Sequence, residues 1–352
     1  MEQKKRLLSK LNREPVDRAP FICPGGMMSM VVTGVMDQCG SSWPEAHTDP
    51  AKMAALTLGA NRLAGVENTG VPFCMTVEAE AMGAEITLGA KRSEPRVTAY
   101  AMKSFGDTSG LASIDTGKGR AKTCIEAIKI LKRDAPGVPV IANLSGPVSL
   151  ASSLIDPLVY YRALLTDSAA VHRLGEFLEE NLIRFGDAMI DAGADVICIA
   201  DPSATGELIG RKSFGEFALP YINRIAEHFR RRTGTPVIVH ICGDVRSLGA
   251  TLSRVSAQAI SIDSLVSIRT LKEMAPAQLG MGNVSTYMLE KSAPEAIMKR
   301  GKRCLEMGAD ILAPACGISP ITPIENIRGL ARTVASPELA DKNRAATGTY
   351  NF

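Results

Sequence analysis

One histidine and two cysteines stand directly after apolar runs, in positions typical of metal ligands. Residues 236–239 lead into His240 and Cys242, which are two apart and therefore point to the same side of an extended strand. Residues 311–315 lead into Cys316, and a glycine follows each of the two cysteines. One imidazole and two thiolates suit zinc, and three protein ligands leave one coordination position open, as in catalytic zinc sites.

Polar side chains end three other apolar runs. Asp263 could take the fourth zinc position, orient His240 from behind, or cap the next helix. Asp201 is a candidate for binding substrate or organising water, and Asn283 is a candidate for holding a cofactor. A loop or capping role is the alternative for Asp201 and Asn283.

The remaining cysteines and His47 carry a weaker signal. Cysteine is among the residue types most often buried, so we interpret the other six as small core residues; they are Cys23, Cys39, Cys74, Cys124, Cys198 and Cys304. His47 could reach a site, but a structural role is favoured for a lone histidine.

Eight short apolar runs alternate with longer helical stretches and must position these residues. The runs are Ala19–Cys23, Gly65–Val71, Val138–Leu144, Asp195–Ala200, Pro236–Ile241, Ala259–Asp263, Leu279–Val284 and Asp310–Pro314. Nearly continuous apolar character is typical of parallel strands covered on both faces. The alternation predicts an α/β fold, a (β/α)8 TIM barrel, whose catalytic groups collect at the C-terminal ends of the strands. An open doubly wound sheet is the alternative, but no GxGxxG follows the first run.

Additions to the barrel are also predicted. Residues 1–18 and 50–64 have helical patterns, the second with Asp49 as a cap before Pro50. Residues 76–97 contain punctuating glycines and an alternating segment, which favours a small inserted β-ribbon. No long linker or repeat divides the chain, so we expect one domain over residues 1–352.

Composition narrows the function classes. Forty basic residues against 37 acidic ones give a net charge of +3, and aromatic residues make up 5%, which disfavours nucleic-acid binding. No apolar run approaches the ~20 residues that span a bilayer, and the charged start does not resemble a secretory signal. The cysteine usage shows no disulfide framework, so we expect a protein of the reducing cytoplasm without a membrane partner.

The chain resembles the methylcobamide:coenzyme M methyltransferases of the uroporphyrinogen decarboxylase superfamily. The resemblance covers nearly the whole sequence, and its segments are 6–8, 15–20, 43–50, 192–202, 237–244 and 311–327. The motifs HICG and APACGI are the most specific, because these enzymes place a zinc His, Cys and Cys there. The resemblance implies the barrel fold and maps the zinc ligands onto His240, Cys242 and Cys316.

The same resemblance implies the reaction. A methyl group would pass from a methylated corrinoid, carried by a partner corrinoid protein, to a thiol such as coenzyme M, with zinc favouring the thiolate. The Met-rich loop at 27–30 and the insertion at 76–97 would contact that partner. A tetrahydrofolate acceptor, a decarboxylase or lyase of the same superfamily, and a non-catalytic corrinoid-binding protein are the alternatives. Porphyrinogen decarboxylation is disfavoured, because residues 21–30 lack the arginines that its substrate requires.

Overall fold

A computed structural model describes residues 1–105, 108 and 110–336 of the chain. The strands are β1 (Thr69–Val71), β2 (Glu85–Thr87), β3 (Arg96–Ala99), β4 (Val140–Ser145), β5 (Val196–Ala200), β6 (Val237–Ile241), β7 (Ala259–Ile262) and β8 (Leu279–Met281). The α-helices are α1 (Gln3–Leu11), α2 (Thr33–Cys39), α3 (Pro50–Gly59), α4 (Val77–Ala81), α5 (Gly119–Asp134), α6 (Pro147–Leu154), α7 (Pro157–Thr166), α8 (Ser168–Asp191), α9 (Gly210–Ser213), α10 (Leu219–Thr233), α11 (Ile268–Met274), α12 (Thr286–Lys291), α13 (Pro294–Glu306) and α14 (Ile324–Ala335).

The predicted TIM barrel is confirmed. Strands β1, β4, β5, β6, β7 and β8 form one parallel sheet in that order, which is the chain order of the barrel strands. Every residue of β4, β5, β6 and β7 is buried, because side chains fill the barrel interior on one face and helices cover the other.

Two of the eight predicted strands are wrong in their extent. The runs at 19–23 and 310–314 form isolated bridges instead of ladders: Phe21 pairs with Leu312, Ile311 with Met281, and Pro314 with Val284. Each run contains a proline, Pro20 or Pro314, which cannot donate to a ladder of hydrogen bonds. On the far side of the first run, the backbone N–H of Glu67 donates to the carbonyl of Phe21 over 2.8 Å. These contacts close the ring.

The start of the chain follows its prediction in part: α1 ends at Leu11, so the helical pattern predicted for residues 1–18 is wrong for 12–18. Helices α1 and α3 form, and the Asp49 carboxylate accepts hydrogen bonds from the backbone N–H groups of Ala51 and Lys52, at 2.9 and 3.0 Å. A wider helical turn over Ala60–Ala64 continues α3, so the predicted helical range of 50–64 is confirmed.

The insertion at 76–97 is only partly a ribbon. Its first residues form helix α4, because the segment VEAEA consists largely of strong helix formers. The antiparallel strands β2 and β3 follow and extend the ribbon to Ala99. The ribbon prediction therefore holds for the second part of the segment and is wrong for the first.

Strand β1 and the first apolar run approach each other very closely. A Cβ atom on Gly70 would lie 1.7 Å from the carbonyl oxygen of Pro24, so only glycine fits there. The side-chain amide of Asn143, on the next strand, donates to that same carbonyl oxygen over 2.9 Å and to the carbonyl of Val71 over 3.1 Å. This corner anchors the segment that carries Met27 to the barrel.

None of the helices in the described part of the chain has the length and apolar character needed to cross a membrane.

Candidate metal centre

The structure brings the three predicted metal ligands together at the C-terminal mouth of the barrel. One ligand atom from each of His240, Cys242 and Cys316 lies within 4.8 Å of the others. The two sulfur atoms are 3.6 Å apart. His240 lies in β6, and Cys242 follows that strand. Cys316 follows the last apolar run and lies 74 residues after Cys242 in the sequence.

The glycines after the two cysteines allow the chain to turn at this point. Gly243 has φ +74°, in the left-handed region that favours glycine. A Cβ atom on Gly317 would lie 2.4 Å from the carbonyl oxygen of Met27, so the loop of Met27 rests directly on the backbone next to Cys316.

His240 is held by a serine on the neighbouring strand. Its Nδ1 lies 3.0 Å from the Ser261 hydroxyl, and the two residues face each other in the register of β6 and β7. The same hydroxyl donates to the sulfur of Met28 over 3.5 Å, so it accepts from the Nδ1–H of His240. The opposite nitrogen, Nε2, is fully buried and has no hydrogen-bond partner among the described residues. That tautomer leaves the Nε2 lone pair available for a metal.

Ser261 was not recognised from the sequence, and the orienting role considered for Asp263 belongs to it instead. Ser261 lies two residues before Asp263, a spacing that places both on one face of the strand. The sequence shows that spacing but not the cross-strand register that sets the hydroxyl beside the imidazole.

We expect Ser261→Ala to weaken zinc binding by about 10- to 100-fold, because the imidazole loses the partner that fixes its tautomer and direction. Competition with a chromophoric chelator would measure the zinc dissociation constant. Ser256→Ala is the control, since that hydroxyl bonds Glu227 instead. Equal zinc affinity in the two variants would contradict the role of Ser261.

Asp263 lies beside the two sulfur atoms. One of its carboxylate oxygens is 3.2 Å from the sulfur of Cys242, within hydrogen-bond distance. The other accepts from the backbone N–H of Leu265 at 2.9 Å and from the Ser264 hydroxyl at 3.3 Å. This position is compatible with the predicted exchangeable ligand and also with the predicted turn cap.

The two cysteines differ in acidity without a metal. Cys242 donates to Cys316 and thereby lowers the pKa of the Cys316 thiol, while the same hydrogen bond and burial raise the pKa of Cys242. Cys316 is therefore the sulfur of this pair that ionises more readily.

Asp201 and Asn283 lie at strand ends, and neither side chain has a described hydrogen bond with the three ligands, although the backbone N–H of Asp201 donates to the carbonyl of His240 over 2.8 Å. The Asp201 carboxylate is fully buried and accepts from Ser149 N and Oγ, at 2.8 and 2.7 Å, and from Val148 N at 3.2 Å, at the start of α6. Burial raises the pKa of Asp201 to about 6. These contacts favour the capping alternative over substrate binding.

Asn283 supports the loop that carries Asp263. Its side-chain amide donates to the carbonyl oxygens of Asp263 and Val266, at 2.8 and 2.6 Å, and the residue is fully buried. A structural role is favoured here over direct contact with a cofactor.

The other cysteines and His47 match their structural interpretation. Within the described residues, the only group of metal-ligating side chains found is the one at the mouth. Five of the six other cysteines are buried and Cys39 is partly buried. The ring of His47 is buried against Trp43 and Phe73, with centroids 5.1 and 6.2 Å away.

A cavity of about 340 Å³ opens beside Cys316. Helix α12 and the loop after the last apolar run supply most of its wall, and the Met27 loop and the ribbon supply the rest. The lining residues are Met27, Glu94, Thr286, Tyr287, Glu290, Cys316, Gly317, Ile318, Ser319 and Pro320. The candidate metal centre is therefore accessible from solvent through this cavity.

Comparison with known proteins gives consistent matches. The family model described as uroporphyrinogen decarboxylase (URO-D) matches residues 2–336. The methylcobamide:CoM methyltransferase MtaA of Methanosarcina barkeri is 34% identical over 334 residues, which cover 93% of this chain and 96% of the relative. The methylcobamide:CoM methyltransferase MtbA of Methanosarcina acetivorans is 33% identical over 328 residues, with 92% and 95% covered.

Solved structures agree. A methyltransferase from Methanosarcina mazei superimposes with a TM-score of 0.88 at 33% identity, covering 95% of this chain and 98% of that one. A putative vitamin-B12 independent methionine synthase from Listeria monocytogenes matches with a TM-score of 0.56 at 16% identity, covering 92% and 98%, and this likeness concerns the fold alone.

Proposed function

The chain belongs to the uroporphyrinogen decarboxylase family and, within it, to the methylcobamide:coenzyme M methyltransferases, and we propose that it uses zinc to move a methyl group from a methylated corrinoid to a small thiol. It is a corrinoid-dependent methyltransferase. The observation that carries the zinc proposal is the convergence of His240, Cys242 and Cys316 at the barrel mouth. We further propose one domain, working in the cytoplasm.

The donor atoms fit zinc. The unpartnered Nε2 of His240 and the sulfur atoms of Cys242 and Cys316 are ligand types that zinc prefers, and the cavity beside Cys316 gives access to a fourth position. A zinc ion bound there would lower the pKa of an incoming thiol. Ser261 would hold the imidazole in place, and Asp263 lies where it could leave the fourth position to the acceptor sulfur.

The proposed transfer is a single in-line displacement. The acceptor thiol loses its proton to solvent through the cavity, and its sulfur then attacks the methyl carbon. The new sulfur–carbon bond forms as the bond between carbon and the corrinoid cobalt breaks, and the cobalt keeps the electron pair. The residues of the mouth contribute orientation and exclusion of water, while the cobalt chemistry belongs to the donor.

The cavity favours a small acceptor. Its 340 Å³ lies near the lower limit of the ~300–1,000 Å³ found for ligand pockets. A compact thiol such as coenzyme M is of a suitable size, whereas tetrahydrofolate combines a pterin with a long aminobenzoyl-glutamate tail. We therefore retain the thiol as the proposed acceptor and tetrahydrofolate as the alternative.

The methyl donor must approach from outside the cavity. A corrinoid is larger than the space beside Cys316, and exposed apolar side chains surround the mouth, among them Leu265 (62% exposed), Tyr287 (73%) and Ile321 (48%). These features support a donor presented by a partner corrinoid protein. Met27 lines the cavity, but Met28 and Met30 are fully buried and belong to the core.

Methyl transfer from methylcobalamin tests the proposal directly. Zinc-loaded protein would be assayed with coenzyme M, homocysteine and tetrahydrofolate, following loss of the methyl–cobalt absorbance. We expect turnover with a thiol and none with tetrahydrofolate. Turnover with tetrahydrofolate alone would favour the alternative acceptor. A stable corrinoid complex without turnover would contradict the enzyme and favour a binding protein.

Asp263→Asn is expected to tighten thiol binding by about 10-fold while zinc stays bound. The reason is that the carboxylate would otherwise compete for the position that the thiol enters. Isothermal titration of the zinc-loaded variant with the thiol would measure this, and metal analysis would check zinc content. Asp244→Asn is a matched control, since Asp244 pairs with Arg246 outside the three-ligand cluster. Complete loss of zinc from Asp263→Asn would show instead that the carboxylate is a permanent ligand.

A further inference from the structure

The sulfur atoms of Cys242 and Cys316 have a spacing that suits two alternative kinds of bond. They are 3.6 Å apart. Two thiolates on one tetrahedral zinc ion, each ~2.3 Å from the metal, are separated by about 3.8 Å. A disulfide needs an S–S distance of ~2.05 Å, so the two atoms would have to approach each other by about 1.5 Å. The pair can therefore hold a metal or bond to itself, but not both, because the thiolate is the metal ligand.

Both cysteines lie where that approach is possible. Cys242 follows β6 and Cys316 follows the last apolar run, so neither is held in the ladder of strands. Both are partly exposed, and Cys316 lines the cavity of about 340 Å³ that opens to solvent. A small oxidant can thus reach the pair through the same opening as the acceptor thiol.

Cys23 is the other cysteine whose charge would act on Cys316. It is fully buried, and its thiol donates to the carbonyl oxygen of Met28 over 3.1 Å. The partner of Cys316 in a disulfide is therefore Cys242, which is exposed to the same opening and already contacts it.

We propose that Cys242 and Cys316 form a reversible redox switch, in which hydrogen peroxide joins them as a disulfide and the zinc ion leaves. This inference rests on the proposed zinc site and adds its regulation. Of the three ligands only His240 would keep a lone pair for the metal, which is too few for a stable zinc site.

The oxidation takes place in two steps. The sulfur of Cys316 attacks one oxygen of the peroxide, the O–O bond breaks, and a sulfenic acid and a hydroxide ion result. The sulfur of Cys242 then attacks the sulfenic sulfur, the S–O bond breaks, and the disulfide forms. Two electrons pass from the two sulfur atoms to the peroxide, and the two thiol protons end in the two water molecules that are released.

Hydrogen peroxide added to the zinc-loaded full chain tests the switch. We expect release of about one zinc per chain, detected with a chromophoric chelator, and a decrease in mass of about 2 Da, the two hydrogens lost on forming a disulfide. A peptide map without reductant should link Cys242 to Cys316. Zinc affinity of the linked protein should fall by more than about 100-fold, and dithiothreitol should restore both the mass and zinc binding.

Cys242→Ser should instead gain about 16 or 32 Da, because the Cys316 thiol then has no neighbouring sulfur to bond and is oxidised further. Cys39→Ser is the matched control, since Cys39 is also partly exposed but hydrogen-bonds only to backbone carbonyls, and it should lose zinc and form the link as the unaltered protein does.

Oxygen adducts without a link in the unaltered protein, a link between other cysteines, or zinc retained in the linked protein would each overturn the switch. In those cases methyl transfer by untreated, zinc-loaded protein would leave the proposed function intact. Failure of the reduced protein to bind zinc at all would overturn both.

Discussion

Cys316→Ala is expected to remove zinc from the protein and to lower methyl transfer from methylcobalamin by more than about 100-fold. The change deletes one of three ligands, so its cost should exceed the ~10–100-fold typical of losing a partner that only orients a ligand. It also removes the sulfur that ionises more readily in the Cys242–Cys316 pair. Metal analysis of the purified variant would measure its zinc content, and the methylcobalamin assay would measure its rate of methyl transfer.

A chelator should reproduce this loss in the unaltered protein, and added zinc should restore activity. Cys39→Ala is the control, because Cys39 is a partly buried free cysteine outside the three-ligand cluster. It should keep one zinc per chain and nearly full activity. Full zinc content in Cys316→Ala would remove Cys316 from the ligand set, whatever happened to the activity.

Gly70→Ala is expected to destabilise the fold by more than about 3 kcal/mol, enough to prevent accumulation of soluble protein. The added methyl group would lie 1.7 Å from the carbonyl oxygen of Pro24 and 3.2 Å from the terminal carbon of Met30. Overpacking a core typically costs ~1–3 kcal/mol when side chains can shift, and here the closest atom belongs to the backbone. Denaturant unfolding would measure the loss if the variant folds.

Gly34→Ala provides the comparison. A Cβ atom at Gly34, in α2, meets nothing closer than 3.7 Å. Alanine there should be neutral or stabilise the protein by up to about 1 kcal/mol, since alanine is the better helix former. Equal stability of the two variants would contradict the close approach of β1 and the first apolar run.

The position of the metal ligands could be predicted because strand ends are visible in the sequence. An apolar run followed by His-x-Cys, and another followed by Cys, places all three residues at the C-terminal mouth once a barrel is assumed. Ser261 could not be found in this way. Its role depends on the register between two strands.

The fold itself was predictable where periodicity is strong. The six laddered strands match their apolar runs to within a few residues, and the Asp49 cap was evident from residue types. The errors have local causes. Prolines reduce the first and last runs to bridges, and a short alanine- and glutamate-rich segment becomes helix where a ribbon was expected.

The barrel is least regular where the first and last apolar runs meet. Six strands are joined edge to edge by ladders, but the first and last apolar runs are joined to their neighbours by isolated bridges. Cys316 lies just beyond the last of these runs, whereas His240 lies in the fully laddered strand β6 and Cys242 directly follows it. A zinc ion bound by all three residues would cross-link the part of the ring that has the fewest backbone hydrogen bonds. Zinc binding and closure of the barrel would therefore stabilise each other.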